Sequence, residues 1–149
     1  MVNEIITGVS EKIQSSFGEG YPVYRNERDR GEDSPCFIVS VRSPSVIMYV
    51  GGRRKMTVPL DVGYFPAEAG SSEEMLDTAE KLLDALEYIA LKEENSGLRG
   101  SAVSWEIAEG MLHFYITYCA LQKKSADLVY MEGAEITAGT SKDRPGTDE

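Results

Sequence analysis

The sequence predicts an α+β fold, a mostly antiparallel β-sheet of four to five strands with two main helices packed on one face. Three observations predict it. Residues 2–17 and 72–92 carry apolar side chains at helical spacing. Residues 101–122 alternate with period two around a glycine-containing turn, the pattern of a β-hairpin. Short strand-like runs punctuated by proline and glycine pairs fill residues 36–65. At 149 residues the chain is one domain by length, large enough to bury a core without staples. We expect a single α+β domain over 1–124 and a largely disordered extension over 125–149.

In chain order, Val2, Ile5, Ile6, Val9, Ile13 and Phe17 share one helical face, with Asn3 as the expected N-cap and Gly18 as the stop. Gly8 costs that helix about 1 kcal/mol relative to Ala, so a close backbone contact is expected there. Residues 21–24 form a short extended piece, followed by the mixed-charge loop 25–33, expected to be solvated. Residues 36–41 are a compact strand, interrupted by Ser43-Pro44-Ser45 before the apolar run 46–50 and the Gly51-Gly52 turn. Residues 53–65 form the next strand, with Met56, Val58, Leu60, Val62 and Tyr64 on one face. Pro59 lacks a ladder donor, which points to an edge, a bulge or a bend.

Ser71 and Glu74 have the spacing of a capping box. The helix they open places Leu76, Ala79, Leu82, Leu83, Leu86, Ile89 and Ala90 inward and Asp77, Glu80, Lys81, Asp84 and Glu87 outward, stopping around residues 95–97. In the hairpin, Val103, Trp105 and Ile107 alternate with Ser104, Glu106 and Ala108. After Glu109-Gly110, Leu112, Phe114, Ile116 and Tyr118 alternate with His113, Tyr115, Thr117 and Cys119. This second arm carries bulky residues on both faces and belongs inside the sheet. Residues 128–131 offer a further short strand or helical turn, and residues 139–149 lack the apolar surface to fold.

The formal charge of −10, from 25 acidic and 15 basic residues, argues against specific nucleic-acid binding, which needs a concentrated positive field. Cys36 and Cys119 lie in apolar runs and are expected to be buried reduced thiols. The first residues show neither a signal peptide nor a membrane span, so folding in a cytoplasm is expected.

A search for chemistry returns little. His113 is the sole histidine, mid-strand, with no cysteine or carboxylate at ligand spacing, so no metal or cofactor is expected. No phosphate-cradling glycine loop or nucleophile elbow occurs. Glu106 and Glu109 flank an exposed turn, which lacks the pocket that raises an acid's pKa. No enzyme is expected; a small enzyme using His113 or Glu106 is the outlying alternative.

Several segments together resemble a known family. They are Glu4-Ile5-Ile6-Thr7-Gly8-Val9, Ser34-Pro35-Cys36-Phe37-Ile38, Pro59-Leu60-Asp61-Val62-Gly63-Tyr64-Phe65-Pro66, Leu82-Leu83-Asp84-Ala85-Leu86-Glu87-Tyr88-Ile89 and Leu98-Arg99-Gly100. In this order and spacing, over about residues 2–121, the chain is similar to the tail terminator, or tail completion, proteins of tailed bacteriophages and phage-like tail particles of Gram-positive bacteria. The resemblance implies a ring subunit, typically six-fold, on the head-proximal end of the tail tube, where it stops polymerisation and meets the head connector. Implied partners are further copies of itself, the tail tube protein and head–tail connector proteins. DNA passes through the ring without specific binding, and no membrane is involved. The implied location is the host bacterial cytoplasm during assembly, then the virion tail or neck. The alternative is another neck or head-completion component of the same particle. A ring needs two different complementary patches per subunit. The candidates are Arg25, Arg28, Asp29 and Arg30 in the charged loop, the Arg53, Arg54 and Lys55 cluster, and Glu80 and Glu87 on the helix 72–92.

Overall fold

The computed structural model describes residues 1–26, 29, 31, 33–92 and 96–123. The expected extension over 125–149 lies outside them. The described chain forms helix α1 (Val2–Phe17), strands β1 (Val23–Tyr24), β2 (Cys36–Val41), β3 (Ser45–Met48) and β4 (Arg53–Phe65), helix α2 (Ser72–Leu86), and strands β5 (Tyr88–Leu91), β6 (Ser96–Ala108) and β7 (Met111–Lys123). Two compact units divide the described residues: Met1–Ser45 with Met56–Ala120, and Val46–Lys55 with Leu121–Lys123.

In the first unit the sheet order is β1-β2-β4-β7-β6-β5. β1 pairs with β2 in parallel, whereas the β2–β4, β5–β6 and β6–β7 pairings are antiparallel. The strands exceed the expected four to five because β1 and β3 are short separate pieces and β5 lies in a run that also fits helical spacing. β7 is interior, as its two-sided pattern predicts. Its turn, Glu109-Gly110, has φ of 56° and 80°, the doubly left-handed geometry of the two-residue turn that matches strand twist.

One face of this sheet carries both helices. Val58, Leu60, Val62 and Tyr64 of β4 and Leu112, Phe114, Ile116 and Tyr118 of β7 pack with Ile5, Val9 and Ile13 of α1 and with Met75, Ala79, Leu82 and Leu86 of α2. The opposite face of β7 is half-buried at His113, Tyr115 and Thr117.

α1 has the expected bounds but a different start. Met1 is its N-cap, without a side-chain cap bond, because the apolar register begins at Val2. Asn3 lies inside the helix and accepts a hydrogen bond from Arg25 Nη2 at 3.0 Å. Gly18 ends the helix at φ 94°. The contact expected at Gly8 is present: a Cβ there would lie 2.8 Å from the Ala90 carbonyl oxygen.

α2 opens with half of the expected capping box: the Ser71 side chain accepts from Glu74 N at 3.2 Å, while Ser71 N donates to Glu68 O and the Glu74 carboxylate is taken up elsewhere. It ends earlier than helical spacing suggests. Leu86 is its last residue, and Tyr88–Leu91 is a strand paired with Ser96–Arg99. Ile89 and Leu91 are buried while Tyr88 and Ala90 are exposed, so period two wins over the helical reading. Leu76 and Leu83, expected inside, are exposed instead. Pro59 sits in an interior strand rather than at an edge, where the β2–β4 ladder ends. Arg42 N donates to Pro59 O at 2.9 Å, and β2 stops at Val41. Cys36 is buried as expected, but Cys119 is exposed on the outward face of β7, and no disulfide joins them.

The second unit is built on a hairpin. β3 pairs with β4, Tyr49 N donates to Arg53 O at 2.7 Å, and Gly51 and Gly52 turn at φ 87° and 77°. All four residues of β3 are exposed.

Candidate functional site

The outward face of β4, β6 and β7 gathers the polar side chains that the sequence leaves scattered. His113 Nδ1 lies 3.1 Å from Asp61 Oδ2, each side chain about one-fifth exposed. Tyr115 stacks beside His113 with ring centroids 6.2 Å apart, and its hydroxyl donates to Glu106 at 2.8 Å. The Arg42 guanidinium lies 4.4 Å from the Tyr115 ring centre. The hydrogen bond to Glu106, with some burial and the nearby Asp61 charge, pushes the Tyr115 phenol up. No carboxylate stands at ligand spacing from His113 in sequence; its neighbour Asp61 comes from 52 positions away and is adjacent across the β4–β7 ladder.

The pair has the imidazole–carboxylate half of a catalytic triad. Among the described residues no serine or threonine hydroxyl hydrogen-bonds to His113. Glu106 and Glu109 do not form a carboxylate pair: Glu106 takes the Tyr115 hydroxyl, while Glu109 occupies the left-handed turn. No three His, Cys, Asp or Glu side chains among the described residues converge as metal ligands. The arrangement ties three strands together across one face.

A second polar knot holds the loop before α2. Glu74 accepts from Tyr64 Oη at 2.5 Å, from Ala67 N at 2.6 Å and from Glu68 N at 3.1 Å. Burial pushes its carboxyl up, but these three hydrogen bonds outweigh that and hold it below the usual carboxylate range. Burial and the bond to Glu74 push the Tyr64 phenol well up.

The residues expected at interfaces divide among three places. Arg25 and Asp29 are exposed in the loop after β1, Arg25 being held by Asn3, whereas Arg28 and Arg30 lie outside the described residues. Arg53 is exposed beyond the hairpin turn and its Nε donates to Val50 O at 3.4 Å. Arg54 Nε donates to Gln122 at 3.2 Å, and Lys55 is half-buried. Arg53 and Arg54, with Tyr49, Leu121, Gln122 and Lys123, line an open depression of about 380 Å³. Glu80 is exposed on the outer side of α2, while Glu87 lies just past its end, 3.4 Å from Arg99.

The feature that sequence reasoning missed is apolar. Val46, Ile47, Met48, Tyr49 and Val50 are 45%, 52%, 76%, 48% and 88% exposed. A strand-like run of this composition ordinarily has one face buried, and this one has neither. The signal available in the sequence was its position between two breakers, Ser43-Pro44-Ser45 and Gly51-Gly52, which detach it from the longer strands.

The family model for phage tail terminator proteins matches residues 4–128. No curated protein matches the chain. The chain therefore belongs to the phage tail terminator family, a structural family of the virion tail.

Proposed function

We propose, from membership of the phage tail terminator family, that this chain is the ring subunit that caps the head-proximal end of the tail tube. The ring stops tube polymerisation and provides the surface met by the head connector proteins. The observation that carries this reading is the match over most of the chain. The surface chemistry supports it: a domain with a complete core exposes a run of five apolar residues, as expected of a subunit that acts by docking. The His113–Asp61 pair serves the fold rather than a reaction. With 25 acidic residues against 15 basic, the ring would repel DNA in its passage and let it slide.

The test is electron microscopy of tail tubes polymerised from purified tube protein with and without this chain. Tubes of limited length bearing density at one end are the expected result. Tubes that grow uncapped at saturating chain would defeat the reading and direct attention to portal and adaptor proteins, the partners of a neck component.

A further inference from the structure

We propose that the apolar tip of the β3–β4 hairpin docks on the outer face of α2 of a second copy of this chain. The proposal deepens the ring reading above and rests on it.

The two surfaces match in chemistry. The hairpin presents Val46, Ile47, Met48 and Val50, then turns at Gly51-Gly52 into Arg53, Arg54 and Lys55. This is the one run of three consecutive cations in a chain of net charge −10, so a partner with complementary charge is acidic. On α2, Leu76 and Leu83 are 46% and 39% exposed and stand two turns apart on one stripe. Glu73, Asp77, Glu80 and Asp84, all exposed, follow the same side of the helix. At 100° per residue the leucines fall along one edge of that side and the four acids along the other. An apolar strip beside a cationic one thus meets an apolar strip beside an anionic one. Lys81 does not spoil the acidic edge, since its ammonium lies 4.7 Å from the centre of the Phe17 ring.

Two different patches on one chain make a head-to-tail contact, which closes into a ring where the rotation permits. No dedicated partner is needed to explain either surface.

The test uses the full chain, with self-association followed by sedimentation and capping followed on tail tubes. Two charge-reversed chains, Arg53→Glu with Lys55→Glu and Glu80→Lys with Asp84→Lys, are compared with the native chain and with one carrying all four changes. Each reversed chain is expected to self-associate at least about tenfold more weakly, the scale of losing a close interfacial charge pair. The four-fold variant is expected to recover. Met48→Ser with Val50→Ser, which leaves charge unchanged, should weaken association as well. Reversed chains that associate like the native one overturn the docking, as does a four-fold variant that fails to recover while keeping its native circular dichroism and melting temperature. A hairpin variant that self-associates normally but no longer caps tubes assigns the hairpin to the tube protein and likewise overturns it. If the native chain caps tubes while either of these holds, the ring reading survives and the docking alone fails. A native chain that neither self-associates nor caps overturns both.

Discussion

Removing one hydroxyl at Tyr118 tests how the end of α2 is held. Tyr118 is fully buried, and its hydroxyl donates to the Leu86 carbonyl at 2.6 Å. Burial pushes the phenol pKa up, so the group stays a neutral donor throughout the range in which the protein is handled. Leu86 closes α2, where the final carbonyls have no partner within the helix. In Tyr118→Phe the ring keeps its packing and only the donor disappears, leaving a buried carbonyl unsatisfied. That costs about 1–3 kcal/mol. For a chain of this length each kcal/mol moves the melting temperature by about 2–4 °C, so the expected fall is about 2–12 °C. Thermal melts and urea titrations of the two chains measure it, with an unchanged urea slope showing that the same transition is compared. A midpoint within about 1 °C of the native one would mean that Leu86 finds another donor, and the account of why the helix stops there would be wrong.

Two further substitutions probe separate devices. Gly8→Ala gains about 1 kcal/mol of helix propensity. Against it, the new Cβ meets the Ala90 carbonyl at 2.8 Å, and shifting that backbone costs about 1–3 kcal/mol by the usual toll of overpacking. The net expected in urea titration is a loss of up to about 2 kcal/mol, and a stabilised variant would show that α1 and β5 have room to separate. Glu74 supplies a pH dependence. Its folded pKa lies below the unfolded carboxylate value of about 4.3. The stability it contributes is therefore fully present above that value and is lost as pH falls through the depressed one. Glu74→Gln should lower the urea midpoint at neutral pH and show a shallower decline below about pH 4. Parallel acid limbs for the two chains would contradict the role given to this carboxylate.

Much of the fold was legible because several patterns were long. The bounds of α1 and β4, the turn of the β6–β7 hairpin and its second arm follow from periodicity sustained over many residues, whereas β6 starts at Ser96, five residues before the alternation does. β5 was not legible, because Leu86, Ile89 and Ala90 fit helical spacing while Ile89 and Leu91 also fit period two. No glycine or proline marks the change at Glu87. Leu76 and Leu83 misled for a related reason: on an amphipathic helix the edge of the apolar stripe and its centre look alike in sequence. The polar face was hidden because the Asp61–His113 approach depends on the β4–β7 register, which no local pattern encodes. Of the residues expected at interfaces, those of the hairpin and of α2 lie on exposed or half-exposed elements. The apolar run beside the cations was overlooked because apolar strands are normally covered.

The order of strands has a bearing on how the domain comes together. β1, β2 and the C-terminal part of β4 are close in sequence, as are β5, β6 and β7, and the two groups meet along one seam between β4 and β7. Each group can form from short-range pairings, the second aided by its two-residue turn. The seam requires closing the long connection that contains α2, as does the approach of α1 to β5 at Gly8, and the entropy of that closure grows only slowly with length. Thr57–Cys119 and Asp61–His113 both bridge it. A change at these positions bears on the joining of the two groups. The seam is where the two groups of strands become one sheet.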